Sequence, residues 1–339
     1  MTQYDMVSDH RIRVPIATSI RHRWVLLFAV FCSFFALLTP NAHAAAPAAN
    51  TVDVGVYLNN IPAVSLKEKK FQVDFNIWFR WQDDKLNPME SFKIFNGYVD
   101  AKDGLIKKKI GNVNYAMQRV QATIFRNFDV ERYPLDNHLL KIQIEDYNPE
   151  GAQTTFVADI ENTNVSPKIT VPGWTVGKFE SYASTTSYNT NYGDSSVAKD
   201  TETKLPRYTF AVELKRAGFG YFFKYFSILL LAATLTFVAF RISPELIDTR
   251  FWLITTSFFL AVITGSSLEA NLPQSESFGL GDMLYNLTML CILVSTVVMI
   301  YHHRMFVVDP ERTLRLSRLW AWGLPLVYLA AVVFVVFKG

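Results

Sequence analysis

The chain has 339 residues, enough for roughly two domains, and half of its residues are hydrophobic. The formal net charge of +3 is small and the basic residues form no single soluble patch, so nucleic acid is not expected as a partner. The sequence has no Ser/His/Asp arrangement, metal-ligand cluster or phosphate-binding loop. We therefore expect neither an enzyme nor a cofactor or metal site.

Residues 1–44 have the features of an export signal. Four arginines precede the apolar run from Trp24 to Leu38, and Ala42-His43-Ala44 supplies a small-x-small cleavage site. The mature protein is predicted to begin near Ala45, with an uncleaved anchor helix as the alternative. Cys32 would leave with the signal, so the mature chain, which retains Cys291, is predicted to lack an internal disulfide.

Residues 45–216 are predicted to form an antiparallel β-sandwich. The run from Phe71 to Trp81 alternates strictly, with apolar odd-numbered residues and mostly polar even-numbered ones, Trp78 excepted. Further β-rich runs are predicted at 52–58, 119–125, 139–144, 154–157, 175–182 and 208–214. Predicted turns lie at Asn87-Pro88, Asp103-Gly104, Asn148-Pro149 and Pro172-Gly173. Several short strands without helical periodicity favour the sandwich.

Residues 217–339 contain four apolar runs, each near the length that crosses a bilayer: about 220–240, 251–268, 283–301 and 319–337. Arginines flank the first-to-second and third-to-fourth connections, whereas the second-to-third connection has no Lys or Arg. By the positive-inside rule the arginine-bearing connections are cytoplasmic. We therefore predict a multi-pass membrane protein, with its N-terminal domain and its C-terminus on the outer side and its helices in membrane lipid.

The second apolar run carries many hydroxyl residues. Reading it at helical spacing gives one stripe: Trp252, Thr256, Phe259, Ile263, Ser266 and Ala270. Alternating polar and bulky apolar levels are typical of a pore with water-bearing rings and a hydrophobic constriction. The alternative is a buried bundle helix whose hydroxyls bond to its own carbonyls.

Several motifs occur in an order typical of one receptor family. Trp81-Gln82-Asp83 ends the second strand, Tyr133-Pro134-Leu135-Asp136 lies in a later loop, Asn271-Leu272-Pro273 ends the second apolar run, and Asp282 opens the third. With these motifs the mature chain resembles a bacterial pentameric ligand-gated ion channel, of the family of the nicotinic and glycine receptors. The family's two loop cysteines would fall at Arg126 and Leu140, and the proline usual in the first helix is missing.

This resemblance implies a homopentamer whose second helices line a pore for monovalent ions. Carried over by position, the narrow cytoplasmic level falls on Trp252 and the central gate on Phe259. Asp248 and Glu245 would lie near the cytoplasmic mouth and Glu269 near the outer mouth, as acidic rings that favour cations.

The resemblance also implies an agonist, a small molecule or protons, bound between subunits in an aromatic box beneath a long hairpin. The candidate ligand-binding residues are Trp78, Tyr147, Tyr188 and Tyr192, and for the tyrosines the alternative is ordinary loop surface. Trp78 is an even-numbered residue of the alternating run and Trp81 an odd-numbered one, so the two are expected on opposite faces of the strand. We expect Trp78 to be exposed on its own subunit and covered by the neighbouring subunit. Trp81 and Trp174 are expected in the core.

Coupling between the domains is assigned to Tyr133, Pro134, Asp136 and Arg216, with a partly buried Asp136–Arg216 salt bridge at the base of the sandwich. Further candidates at the junction are the turn from Lys67 to Lys70, Glu145 and Glu276. The alternative function is a non-conducting membrane receptor of the same fold that binds a periplasmic ligand.

Overall fold

The structure, a computed structural model, describes residues 50–147, 154–193, 202–273 and 278–338. The proposed signal at 1–44, the turn at Asn148-Pro149 and Glu276 lie outside these residues. The described chain is α+β, with β-sheets in its N-terminal part and helices in its C-terminal part. This order agrees with the sequence-based expectation.

The described strands form two sheets. The first has the order β4-β5-β2-β1-β7, and β8 also pairs with β1: β1 Asn50–Ser65, β2 Lys70–Trp81, β4 Gly97–Ile110, β5 Val113–Phe125, β7 Thr154–Ala158 and β8 Asn164–Val165. The second has the order β3-β6-β10-β9: β3 Phe92–Ile94, β6 Asn137–Asp146, β9 Trp174–Tyr188 and β10 Thr203–Arg216. A single helical turn, Pro88–Ser91, separates β2 from β3.

Strand β2 shows how the alternation of the sequence builds the core. Phe75, Ile77 and Phe79 are fully buried, in the same apolar cluster as Phe210 and Val212 of the second sheet. Burying each such side chain contributes about 1.5–3 kcal/mol. The alternation predicted for this strand is therefore confirmed, and the two sheets share one apolar core.

Strand β4 was missed by the sequence reading. The predicted turn at Asp103-Gly104 is wrong: Gly104 has φ +64° inside the strand, where the register with β5 shifts between Asp103 and Ile106. A glycine tolerates this conformation without steric cost, and the extra residue makes a bulge rather than a turn. The hairpin turns instead beside Gly111, which has φ +60°.

Four helices follow: α1 Phe219–Ala239, α2 Ile247–Asn271, α3 Leu280–Val308 and α4 Pro310–Lys338. All four are long and apolar enough to cross a membrane, and they match the four predicted runs. Asp282 fixes the start of α3, because its carboxylate accepts a hydrogen bond from the backbone N–H of Gly279 at 3.2 Å. Helix α2 packs between α1 and α3, and α4 packs mainly on α3.

The strands run directly into the helices. Arg216 ends β10 three residues before Phe219 begins α1. The backbone N–H of Leu280, the first residue of α3, donates to the carbonyl of Glu131 at 2.6 Å, in the loop between β5 and β6. Leu268 of α2 belongs to the sheet core cluster. The chain connection at Arg216 and these two contacts help to join the two parts of the chain.

Candidate functional site

The stripe on α2 is the face of that helix that the rest of the chain leaves uncovered. Its large apolar members are Trp252, 70% exposed, Phe259, 59% exposed, and Ile263, 54% exposed. Thr256, Ser266 and Ala270 are exposed as well. A helix face that exposes hydroxyls and large rings together, at helical spacing, is suited to surround a partly wet axis.

The opposite face of α2 is buried. It consists of Arg250, Ile254, Ser257, Ala261, Thr264 and Leu268. Arg250 lies on this face, where its Nη2 donates to Ser317 Oγ of α4 at 2.8 Å and its Nε to the carbonyl of Ile242 at 3.1 Å. Its charge therefore points away from the stripe.

The hydroxyls of α2 bond to their own helix. Thr256 Oγ1 donates to the carbonyl of Trp252 at 2.8 Å, and Ser257 and Thr264 donate to carbonyls four residues earlier. This bonding is the local feature expected of a bundle helix. Thr256 differs from the other two because its side chain is exposed, so its oxygen still has lone pairs available to water.

Asp248, Glu245 and Glu269 are all exposed near the ends of α2. Asp248 lies in the first turn, where a negative side chain also stabilises the partial positive charge of the helix N-terminus. Glu269 lines a cleft of about 970 Å³ between the sheets and the helices, together with Lys67, Lys69 and Glu131. That cleft places the predicted turn from Lys67 to Lys70 at the junction.

A second group of residues lies at the far end of β6. The Glu145 side chain is fully buried and its Oε1 accepts hydrogen bonds from Arg207 Nε and from Tyr188 Oη, both at 2.7 Å. Arg207 Nη2 also donates to Tyr188 Oη at 2.7 Å. Burial, followed by the Glu145 carboxylate, raises the pKa of Tyr188 to about 12. Tyr188 is therefore held as a neutral phenol at neutral pH.

Aromatic rings and two cations surround this group. Arg207 lies over the ring of Phe95 at 4.1 Å, and Lys93 Nζ lies over the ring of Tyr147 at 4.8 Å. The ring centroid of Tyr188 is 6.3 Å from that of Phe95 and 6.1 Å from that of Tyr192. We call Lys93, Phe95, Glu145, Tyr147, Tyr188, Tyr192 and Arg207 the aromatic cluster. It brings together three predicted ligand residues.

Glu145 is a correction to the sequence-based expectation, which placed it among the coupling residues. It lies at the opposite end of β6 from Asn137, so it belongs to the aromatic cluster and not to the junction. Nine residues of strand separate Glu145 from Asp136, about 30 Å at the usual rise per residue. The order of residues along β6 could have given this, because the loop motif immediately precedes Asn137.

The expected exposure of Trp78 is wrong. Trp78 is 9% exposed in the single chain, its Nε1 donates to Asp159 Oδ2 at 2.9 Å, and its ring fills the space beside Gly55 of β1. Its own chain therefore supplies the cover that was assigned to a neighbour. Alternation was right that Trp78 and Trp81 occupy opposite faces, but it says nothing about what lies above a face. The role of Trp78 in ligand binding stays a prediction.

The junction contains a buried charged group. Arg216 Nε lies 2.9 Å from Asp136 Oδ1, and His138 Nε2 lies 2.6 Å from Asp136 Oδ2, with all three side chains buried. Burial raises the pKa of the Asp136 carboxyl, but the hydrogen bonds from His138 and Arg216 outweigh it and hold that pKa below its ordinary value. The predicted Asp136–Arg216 contact is present. His138 was not predicted.

Rings enclose the guanidinium of Arg216. It lies 3.7 Å from the ring of Trp174 and 5.0 Å from the rings of Tyr133 and Tyr221 of α1. The ring of Tyr133 also meets that of Tyr225 of α1 at 5.1 Å, nearly edge-on. Trp174, which was expected in the core, is only partly buried and packs against the apolar core of the sheets. Pro134 is buried and follows a cis peptide bond after Tyr133.

Among the described residues no group of three or more His, Cys, Asp or Glu could hold a metal ion. No protein-family model matches the chain, and no curated protein matches it in sequence.

Proposed function

We propose that this chain is one subunit of a homopentameric ligand-gated ion channel of the family of the nicotinic and glycine receptors. In this proposal residues 45–216 form a periplasmic β-sandwich, and the four helices from residue 217 onward cross the inner membrane. Five copies of α2 surround the pore. The proposal rests on the order of the motifs, on the four apolar helices, and above all on the exposed face of α2.

The stripe is the main support for the proposal, because the two faces of α2 differ in an unusual way. One face is packed by α1 and α3, and the other presents hydroxyls together with Trp252 and Phe259. Hydroxyls facing hydrocarbon alone gain nothing, whereas a water-containing axis gives them partners. The large rings then form the constrictions, Phe259 at mid-helix and Trp252 nearer the cytoplasm.

Two strands offer a route for coupling between ligand and pore. Strand β6 carries Glu145 in the aromatic cluster, and Asp136 immediately precedes its other end. Strand β10 likewise carries Arg207 and ends at Arg216. The two strands pair in continuous antiparallel register from Arg207↔Glu145 to Lys215↔Asn137. A displacement of the cluster by agonist would therefore reach Arg216, and through its ring contacts the start of α1.

We further propose that monovalent cations are the permeating ions. Asp248, Glu245 and Glu269 are exposed, and five-fold repetition would make acidic rings at both mouths. Arg250 does not oppose them, because it points into the helix bundle.

The alternative is a receptor of the same fold that does not conduct. The backbone bonding of the α2 hydroxyls and the size of Trp252 and Phe259 favour it. In that case the stripe would meet protein instead of water.

Water access to adjacent positions of α2 separates the two candidates. In a Cys291→Ala background, Thr256→Cys exposes a thiol on the stripe, and Ser257→Cys places one on the buried face. For a channel we expect a charged, water-soluble thiol reagent to modify Thr256→Cys in lipid and to block its current, with Ser257→Cys protected. Equal protection of both, in correctly assembled protein, would contradict the pore.

A further inference from the structure

The accessible charges of the aromatic cluster itself are positive. Lys93 is exposed and forms no ion pair within the described part of the chain, whereas the Glu145 side chain is fully buried behind Arg207. Arg207 is bound to Glu145 and Tyr188 through Nε and Nη2, and its Nη1 makes no hydrogen bond to another described residue. Two cations thus surround one inaccessible carboxylate.

Cationic side chains of the protein itself already occupy ring faces of the cluster. Arg207 lies over Phe95 and Lys93 lies over Tyr147, both within the range of a cation–π contact. A ligand ammonium that binds the ring of Phe95 or Tyr147 on the same face would have to displace one of these side chains while approaching the other. Like charges brought together in this way oppose binding. A ligand anion would instead be attracted by both cationic side chains.

We propose that the natural ligand of the aromatic cluster is a small carboxylate with an apolar body. Lys93 Nζ and the free edge of Arg207 would bind its carboxylate, and the exposed ring of Tyr192, beside Tyr188, would cover its body. This inference rests on the proposed ligand site and names the chemical class of its agonist. It replaces the cation that an aromatic box alone would attract.

Two probes of matched shape and opposite charge test the ligand class. Benzoate and benzylamine share a ring of the same size, and their binding to the full-length protein in detergent is measured by titration calorimetry. We expect saturable binding of benzoate, at least about tenfold tighter than that of benzylamine, as one charge-assisted contact would give. Benzylamine binding equally well or better, or no saturable benzoate binding, would overturn the proposal.

Lysine variants locate the bound probe. Lys93→Met keeps the aliphatic stem and removes the charge, and it should weaken benzoate binding about tenfold. Lys102→Met is the matched control, because Lys102 lies over the ring of Phe92 at 4.2 Å and outside the cluster. It should leave the binding of benzoate unchanged. Equal effects of the two variants, or none from Lys93→Met, would refute the site.

The test distinguishes this inference from the proposed function. Calorimetry requires no current, so benzoate bound at Lys93 by a protein that never conducts would support the ligand class and contradict the channel. If an amine evokes current through the wild-type protein while benzoate neither binds nor evokes current, the channel would be supported and the ligand class contradicted.

Discussion

At the scale of single residues, Asp136 is the charged residue whose replacement we expect to affect stability most. Its two carboxylate oxygens contact Arg216 and His138, and all three side chains are buried. Asp136→Asn leaves the guanidinium of Arg216 buried without a counter-charge, which costs about 3–5 kcal/mol in comparable cases. We expect a clearly lower melting temperature by circular dichroism. The control is Glu213→Gln, at a partly exposed pair with Lys215, where the cost is about 0–1 kcal/mol. Equal melting of the two variants would contradict the role of the buried pair.

The same residue sets a dependence on pH. The folded-state pKa of Asp136 lies below its unfolded-state value, so the stabilisation is complete above the unfolded pKa and is lost as the pH falls through the folded pKa. An unperturbed aspartate carboxyl has a pKa of about 4, which sets the upper limit of the pH range over which this stabilisation is lost. Melting temperature measured downward from pH 6 should therefore fall more in the wild type below about pH 4 than in Asp136→Asn. Parallel curves would show that Asp136 does not contribute.

The two tryptophans of β2 provide a matched comparison. Trp78 Nε1 donates to Asp159, whereas the buried Nε1 of Trp81 has no partner among the described residues. Trp78→Phe loses a hydrogen bond to a charged acceptor, worth about 1.5–3 kcal/mol, and Trp81→Phe loses none. We expect the former to lower the melting temperature more. If Trp81→Phe is the more damaging, packing of the Trp81 ring outweighs the Asp159 contact.

At the scale of elements, strand β2 and helix α2 were both predictable from the sequence, because each carries a clear period of its own. Strand β4 was not, since Gly104 and the lysines that follow it have the composition of a loop. The bulge at Gly104 becomes visible only through the pairing with β5. Local periodicity cannot reveal a strand whose residues are nearly all exposed, because neither face then requires apolar side chains.

The candidate sites divide in the same way. The stripe from Trp252 to Ala270 lies on one helix, so helical spacing was enough to find it. The contacts of Arg207 with Glu145 and Phe95 join residues of β10, β6 and the turn after β3, and nothing in the sequence near Arg207 signals them. His138 lies two residues from Asp136, and a buried imidazole beside a carboxylate was a signal within reach of the sequence.

Helix α2 leads to a test of the gate. In the proposed pore, a ring of phenylalanines at Phe259 would leave an apolar throat in which a hydrated ion loses water without replacement, so the throat would dewet and block current. Phe259→Ser should allow water to enter and give leak current without agonist. Phe258→Ser is the control, because it makes the same change one residue away, off the stripe, on a side chain that is also exposed. Thr256→Ala should change conductance more than leak.

The outcomes separate a gate from a silent bundle. Leak from Phe259→Ser alone supports the constriction. If Phe259→Ser and Trp252→Ser, singly and combined, leave correctly assembled protein electrically silent, the pore is refuted. Equal leak from Phe258→Ser would place the lumen on a different face of α2.

At the scale of the whole molecule, α4 and α2 expose different kinds of surface. The exposed side chains of α4 include Leu319, Leu326, Val333 and Phe337, which hydrocarbon can cover without loss. The stripe of α2 includes Thr256 and Ser266, for which lipid offers no hydrogen bond. Lipid can therefore cover α4, whereas in the proposed channel further copies of the chain would surround the stripe of α2.

The resemblance implies five copies, and the space that the stripe needs is larger than a ring of three would leave. Helices packed about 10 Å apart in a ring of three place their axes about 6 Å from the centre, which leaves almost no lumen inside a helix radius of about 5 Å. A ring of five places the axes about 8.5 Å away and leaves a lumen of about 3 Å radius at levels with small side chains such as Thr256 and Ser266. Phe259 and Trp252 would narrow it at their own levels.

We therefore expect purified protein in gentle detergent to assemble as a homopentamer, with a mass by native mass spectrometry five times that of the mature subunit and five-fold symmetry in particle images. Trp78 no longer supports this expectation, because its own chain covers it, so the prediction depends on the resemblance and on α2. The double variant Thr256→Leu/Ser266→Leu tests the polar levels of the pore and not the stoichiometry. It removes the hydroxyls that would face water, so the assembled protein should keep five-fold symmetry but show reduced current. A stable monomer or dimer of the unaltered protein under the same conditions would refute both the stoichiometry and the pore that requires it.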